Sequence, residues 1–81
     1  MNDHTDLAVD LTVDVTGQKC PMPVLLTSQA AKKLEPGQVL LIEATDPGSQ
    51  RDIPSWANDT GNALLESTHR DGVFRYLIRK G

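Results

Sequence analysis

The 81-residue chain contains a single cysteine, and this scarcity excludes several kinds of protein. One thiol cannot form an internal disulfide, and it cannot form the dithiol couple of a thioredoxin-like protein. The two histidines, His4 and His69, are far apart, so the chain has no cluster with the ligand spacing of a zinc site. We therefore expect no metal centre, and the chemistry of Cys20 must be that of one sulfur atom.

Long apolar runs, positive charge and aromatic residues are also scarce. No apolar stretch approaches the roughly 20 residues that span a membrane, and the first nine residues lack the basic and apolar regions of a secretory signal. The net charge of −3 disfavours binding by phosphate neutralisation, and only Trp56, Phe74 and Tyr76 could stack on bases. We expect no membrane contact, no direct nucleic-acid partner, and a location in the reducing cytoplasm, where a free thiol persists.

Hydrophobic periodicity predicts a strand and a helix in the first half of the chain. Residues 1–9 have no periodicity and are expected to form a flexible lead-in, whereas 10–81 are expected to form one domain. Alternating apolar residues at Leu11, Val13 and Val15 are typical of a half-buried strand. From Pro21 to about Leu34 the spacing is helical, with one face formed by Pro23, Leu26, Thr27, Ala30, Ala31 and Leu34.

The second half of the chain predicts three more strands and a second helix. The nearly continuous apolar run from Val39 to Ala44 is typical of a central strand. Asp52 could cap the second helix, with Pro54 in its first turn and Gly61 just past its end. Strands beginning at Ala63 and including Phe74 to Arg79 flank a hairpin turn at Asp71-Gly72. The predicted fold is α+β, with the order β-α-β-α-β-β and both helices on one face of a mixed four-stranded sheet.

Cys20 lies where the first strand gives way to the first helix. Proline is tolerated in a first helical turn, so Pro21 at the first helical position would make Cys20 the N-cap. Its sulfur would then lie near the positive end of the helix dipole and beside Lys19, and both favour the thiolate. We therefore expect an exposed nucleophile with a pKa below the free value of about 8.5. The alternative is a buried cysteine that only fills space.

Three blocks of sequence carry a resemblance to a known family. The first block is Asp14-x-x-Gly17-x-Lys19-Cys20-Pro21-x-Pro23-Val24-Leu25. The second and third are Ala44-Thr45-Asp46-Pro47 with Arg51-Asp52-Ile53-Pro54-x-Trp56, and Tyr76-Leu77-Ile78-Arg79-Lys80. Together they resemble the TusA/SirA family of small sulfur-carrier proteins, whose mark is Cys-Pro-x-Pro at the start of the first helix. The resemblance runs from about Val13 to Gly81, and the family has the two-layer sandwich predicted above.

The resemblance implies that Cys20 is a persulfide site and that no other cofactor is needed. Proteins of this family take sulfur from a cysteine desulfurase, sometimes through a rhodanese, and pass it to an acceptor protein. Destinations in the family include tRNA 2-thiouridine, the molybdenum cofactor and cytoplasmic sulfur oxidation. By position, Gly17, Lys19, Pro21 and Pro23 would support the motif and its helix. Gln18 departs from the apolar residue usual at its position, a change that could alter the choice of partner.

Several residues are candidates for docking a partner. Leu25 falls on the polar side of the predicted helix close to Cys20, and Arg51 and Asp52 match family motif positions. Half of the eight basic residues lie in the last twelve positions, namely Arg70, Arg75, Arg79 and Lys80. Of these, Arg75 and Arg79 are the named docking candidates, although the cluster could equally be an ordinary solvated strand face. We expect the protein to act as a monomer.

Three functions from different classes remain open on the sequence. The first is a sulfur carrier, which is a protein substrate and partner of sulfurtransferases and not an enzyme with its own turnover. The second is a redox sensor in which Cys20 is oxidised or forms a mixed disulfide. The third is an RNA-binding module, which the acidic net charge and the few aromatic residues disfavour.

Overall fold

The computed structural model describes residues 9–81, so residues 1–8 of the predicted lead-in lie outside the described part. Within it the elements follow the predicted order β-α-β-α-β-β, and the predicted fold class is confirmed. The six elements are β1 (Leu11–Val15), α1 (Met22–Ala31), β2 (Val39–Ala44), α2 (Ser49–Asp59), β3 (Ala63–Arg70) and β4 (Val73–Arg79).

The strands form a mixed sheet in the order β1-β2-β4-β3. β1 runs parallel to β2, with Val15 opposite Ala44, so both of these strands end at the same edge. β4 is antiparallel to β2 and to β3. The turn between β3 and β4 has positive φ at both Asp71 (55°) and Gly72 (79°), as a two-residue type I′ hairpin turn requires. The predicted hairpin is therefore confirmed.

The core lies between one face of the sheet and the two helices. Alternate strand residues point into it because successive side chains of a strand face opposite sides. The helices contribute Ala31, Ile53 and Ala57, and the half-buried Trp56 packs against the same cluster. The buried members of the core are Val15, Ala31, Leu40, Ile42, Ala44, Ile53, Ala57, Phe74, Tyr76 and Ile78. This single cluster makes the fold a two-layer sandwich.

The opposite face of the sheet carries a mixture of charged and apolar side chains. Arg75 Nε donates a hydrogen bond of 2.9 Å to Glu43 Oε2 across β2 and β4. Leu41 and Leu77 line a shallow depression of about 130 Å³ beside this ion pair, and Leu77 is buried. The ion pair and the depression are both on the side of the sheet away from the helices.

Both helices differ from the predicted boundaries. α1 begins at Met22 with Pro21 as its N-cap, so Cys20, which was predicted to be the N-cap, lies one residue before the cap of the structure. It ends at Ala31, and Leu34 follows it in a turn. These shifts are of the size expected for helix ends, which depend on tertiary contacts as much as on propensity.

The second helix starts earlier than predicted. The Asp46 carbonyl accepts a hydrogen bond from the Ser49 amide, and a tight turn leads into α2 with Gly48 as the N-cap. Asp52 therefore lies in the first turn and does not cap the helix, and Pro54 lies inside the helix. Pro54 has no amide hydrogen, so the carbonyl of Gln50 loses its helical hydrogen bond. Gln50 is exposed, so water can bind this carbonyl instead. Gly61, with φ 76°, follows the C-cap as predicted.

Candidate functional site

The site is built where the parallel strands β1 and β2 end at one edge of the sheet. The Gly17 amide, just after β1, donates a hydrogen bond of 2.8 Å to Thr45 Oγ1, just after β2. The Cys20 amide donates to Asp46 Oδ2 at 3.2 Å. Near the end of β1, Asp14 Oδ1 accepts hydrogen bonds from the hydroxyl and the amide of Thr16, and these bonds lower the pKa of Asp14. The loop that bears Cys20 is thus tied both to β1 and to the loop after β2.

Cys20 is exposed, as predicted, and lies in the turn immediately before α1. Its peptide bond to Pro21 is cis. The Met22 amide donates to the Lys19 carbonyl at 2.8 Å, and Pro23 has no amide hydrogen to offer. Two of the first helical residues therefore present no N–H group to the sulfur, so the start of α1 is a poor anion site for this thiol.

The Cys20 thiol instead donates a hydrogen bond to Asp52 Oδ2 in the first turn of α2, at a sulfur–oxygen distance of 3.2 Å. This hydrogen bond is the main cause that raises the pKa of Cys20, followed by desolvation and by the negative charges of Asp52 and Asp46. The positive charge of Arg51 opposes the rise. The predicted lowering of the Cys20 pKa is therefore wrong.

The physical reason for this reversal is the identity of the nearest charges. A helix dipole acts through N–H groups that point at the anion, whereas the carboxylate of Asp52 touches the thiol hydrogen directly. A carboxylate that accepts a hydrogen bond from a thiol stabilises the protonated form. Lys19, predicted to favour the thiolate, is exposed and is not among the causes of the shift.

A groove of about 340 Å³ runs between the two helices beside this thiol. Its lining residues are Pro21 and Val24 from the α1 side and Asp52, Ser55, Trp56 and Asp59 from α2. Trp56 is half-buried, so it contributes to the core and to the groove at once. The groove therefore combines an aromatic wall with two carboxylates.

The other predicted site residues lie in the Cys20 loop, in the two helices and in β4. Gly17 and Lys19 are exposed in the Cys20 loop. Pro23 is buried in the first turn of α1, and Leu25 of the same helix is 49% exposed. Arg51, with an 86% exposed side chain, forms a 3.6 Å ion pair with Asp52. The two remaining residues, Arg75 and Arg79, belong to β4 and lie apart from this cluster.

The two β4 arginines differ in their distance from the Cys20 edge. Arg75 pairs with Glu43 near the end of β2, but its side chain lies on the face of the sheet away from the helices. Arg79 pairs with Val39 at the start of β2, so it lies at the opposite end of the strands from the Cys20 loop. The structure therefore does not bring either arginine to the thiol.

Sequence reasoning missed the contacts of Asp46 and Asp52 with Cys20 and the exposure of Met22. Both carboxylates follow β2, and only the parallel pairing of β1 with β2 reveals that they meet the Cys20 loop. Met22, 38% exposed, lies three residues before Leu25 and so on the same side of α1. The available signal was the Asp46-Pro47 turn directly after a predicted central strand.

Among residues 9–81, no group of three or more His, Cys, Asp or Glu side chains is arranged to hold a metal ion. In the same part of the chain, neither helix has the length and apolar character needed to cross a membrane.

Comparison with known proteins gives consistent matches over most of the chain. The family model described as "Sulfurtransferase TusA" matches residues 11–80. The sulfur carrier protein TusA of Allochromatium vinosum is 42% identical over 71 residues, which cover 88% of this chain and 93% of that protein. A putative sulfur carrier protein of Aquifex aeolicus is 48% identical over 71 residues, which cover 88% of this chain, but the chain spans only 36% of that protein's length.

A solved structure shows the same fold. The crystal structure of a SirA-like protein from Desulfitobacterium hafniense superposes with a TM-score of 0.78 at 30% identity, covering 88% of this chain and 97% of that one. The family match over nearly the whole described chain, together with relatives above 40% identity, leads to one conclusion. The chain belongs to the TusA family of sulfur carrier proteins.

Proposed function

We propose that residues 10–81 act as one carrier domain in which Cys20 accepts the terminal sulfur of a persulfide and later passes it to an acceptor protein. The donor is a cysteine desulfurase, directly or through a rhodanese. The observation that carries the proposal is the position of the chain's single thiol, exposed in a loop that is anchored to a second loop at the edge of the sheet. Such a loop presents the sulfur on a rigid support to a large partner.

The transfer balances without an oxidant or reductant. The Cys20 sulfur attacks the outer sulfur of a donor persulfide, a new S–S bond forms on Cys20, and the donor S–S bond breaks. The donor cysteine leaves as a thiolate and takes up the proton that Cys20 gave up. The products are Cys20–S–SH and a donor thiol, and the reverse exchange delivers the sulfur to the acceptor.

No histidine of residues 9–81 is placed to act as a general base for Cys20. Such a base must lie within hydrogen-bond reach of the thiol that it deprotonates. His69 stacks on Phe74 with 4.1 Å between ring centroids, and it belongs to β3 at the sheet edge opposite β1. Three interstrand steps of about 4.8 Å separate those strands, so His69 does not serve Cys20.

An apolar pair beside the thiol supports the docking of a partner. Met22 and Leu25 are 38% and 49% exposed, and they lie one turn apart on α1. Exposed apolar side chains next to a reactive group are well placed for the core of a transient interface. Arg51 and Lys19 provide exposed positive charges nearby. The carrier would meet each partner in turn as a monomer in the cytoplasm.

Mass spectrometry of the intact protein tests the proposal. After incubation with a cysteine desulfurase and cysteine, we expect a gain of one sulfur atom on Cys20 that dithiothreitol removes. Cys20→Ser should show no gain and provides the control, because the chain has no other thiol. If desulfurases and rhodaneses leave Cys20 without added sulfur, the carrier proposal fails.

The destination of the sulfur is tested by discharge of the loaded protein. Persulfidated protein would be mixed with acceptor proteins of tRNA 2-thiouridine synthesis, of molybdenum-cofactor assembly and of sulfur oxidation. We expect one of these classes to remove the added sulfur faster than dilute free cysteine does. Equal rates for all of them would contradict a dedicated acceptor.

A further inference from the structure

The contact between Cys20 and Asp52 has a consequence for when the carrier is reactive. The thiolate is the nucleophilic form of cysteine, yet this thiol donates its hydrogen to a carboxylate. A second carboxylate, that of Asp46, accepts the hydrogen bond of the Cys20 backbone amide. The free protein therefore surrounds its reactive sulfur with groups that disfavour the reactive form.

The charged groups around the sulfur come from three elements. The Cys20 loop contributes Lys19, the loop after β2 contributes Asp46, and α2 contributes Arg51 and Asp52. The two cations are exposed, and the Arg51 side chain is 86% exposed, so water screens their charge. The Asp52 side chain is only 25% exposed and in direct contact with the sulfur, so its charge acts more strongly.

The groove between the helices leads to this carboxylate. Its α2 wall carries Asp52 and, two helical turns further along the chain, Asp59, and the half-buried Trp56 lies between them in sequence. Two carboxylates and an indole face are the features that bind a lysine or arginine side chain, through charge-assisted hydrogen bonds and a cation–π contact. Ser55, exposed on the same face of α2, leaves room for such a side chain.

Resting on the proposed carrier function, we propose that Asp52 is a positioning residue that keeps Cys20 as an unreactive thiol in the free protein, and that a lysine or arginine of the sulfur donor releases it by binding in the groove. The incoming cation pairs with the Asp52 carboxylate and replaces the Cys20 thiol as the hydrogen-bond donor to Oδ2. Cys20 then gives its proton to water and attacks the outer sulfur of the donor persulfide, and the new S–S bond forms as the donor S–S bond breaks. The departing donor thiolate takes a proton back from water, so the exchange remains balanced.

The first test measures the rate of iodoacetamide alkylation of Cys20 against pH in the free protein. For Asp52→Asn we expect the midpoint to move to lower pH and the rate at neutral pH to rise at least about threefold, because the contacting charge is gone. Glu35→Gln makes the same change in net charge at an exposed residue after α1 that does not line the groove, and it should match the unchanged protein. Equal profiles for Asp52→Asn and the unchanged protein would overturn the role of Asp52.

The second test places a cation in the groove without a partner. Ser55→Lys adds an amine one helical turn from Asp52, on the same face of α2. Asn58→Lys adds the same charge at an exposed position of α2 that does not line the groove. We expect Ser55→Lys to raise the alkylation rate at neutral pH more than Asn58→Lys does. Equal rates in the two lysine variants would overturn release by a groove cation.

These tests stand apart from the test of sulfur loading. Alkylation is measured without any sulfur donor. Unchanged alkylation in the variants would therefore overturn the role of Asp52 in keeping Cys20 protonated, and would leave loading by a desulfurase intact. Conversely, a protein that never gains sulfur could still show the shifted alkylation profile. Thermal unfolding of each variant would be followed by circular dichroism, and only variants that unfold cooperatively like the unchanged protein enter the comparison.

Discussion

Ser49 Oγ and Tyr76 Oη lie 2.8 Å apart and hydrogen-bond in the buried core, joining the first residue of α2 to the middle of β4. Burial raises the pKa of the Tyr76 hydroxyl, and its hydrogen bond with Ser49 opposes that rise. Asp52 follows Ser49 by three residues, so this bond also fixes the turn of α2 that reaches Cys20. The core thereby supports the site.

A double-mutant cycle measures this support. Ser49→Ala and Tyr76→Phe should each lower the free energy of unfolding by about 1–3 kcal/mol, because each leaves a buried hydroxyl without its partner. The double variant should lose less than the sum, since it leaves no hydroxyl unpaired. Denaturant unfolding of the four proteins checks this. Strict additivity of the two losses would show that the two hydroxyls do not interact in solution.

Truncation of apolar side chains should separate core residues from docking residues. Ile53 is fully buried between α2 and the sheet, so Ile53→Ala should lower the free energy of unfolding by about 2–5 kcal/mol. Leu25 is half exposed, so Leu25→Ala should change stability by less than about 0.5 kcal/mol but slow sulfur loading. Unfolding curves and loading rates measured together distinguish the two. An unchanged loading rate in Leu25→Ala would remove this residue from the docking surface.

Two arginines provide a matched test of the predicted docking residues. Arg51 lies beside Asp52, whereas Arg79 pairs with Val39 at the end of the strands that is opposite the Cys20 loop. Each substitution by alanine removes one positive charge from an exposed residue, so bulk electrostatics change equally. We expect Arg51→Ala to change the rate of loading by a desulfurase, and Arg79→Ala to leave it near that of the unchanged protein. A larger effect at Arg79 would place the docking surface on the opposite edge.

The raised pKa of Cys20 predicts a direction for the pH dependence of stability. The folded protein holds the thiol proton more tightly than the unfolded chain does, because of the Asp52 hydrogen bond. The resulting stabilisation is complete below the pKa of the unfolded chain and is lost as the pH rises through the folded pKa. The stability of the unchanged protein should therefore fall relative to Cys20→Ser between neutral and alkaline pH. Curves that stay parallel over this range would contradict the raised pKa.

Most of the fold follows from local sequence pattern. The period-two alternation in β1 and the apolar run of β2 predicted those strands, and Asp71-Gly72 predicted the hairpin between β3 and β4. The helix boundaries were less accurate. The start of α2 at Ser49 depends on the turn after Asp46. Aspartate is a residue type that often caps helices, but Asp52 lies in the first turn of α2 and not at its N-cap. Several residues suit a cap, and the tertiary context selects among them.

The sequence alone determined that this protein has one thiol, that the thiol lies at the exposed junction of a strand and a helix, and that the elements follow the order β-α-β-α-β-β. Only the tertiary structure decided which charges surround that thiol. Asp46 and Asp52 lie 26 and 32 residues beyond Cys20, and the parallel pairing of β1 with β2 brings their loops together. Electrostatic effects follow distance in space, so a carboxylate in contact with the sulfur outweighs the neighbouring lysine and the helix end.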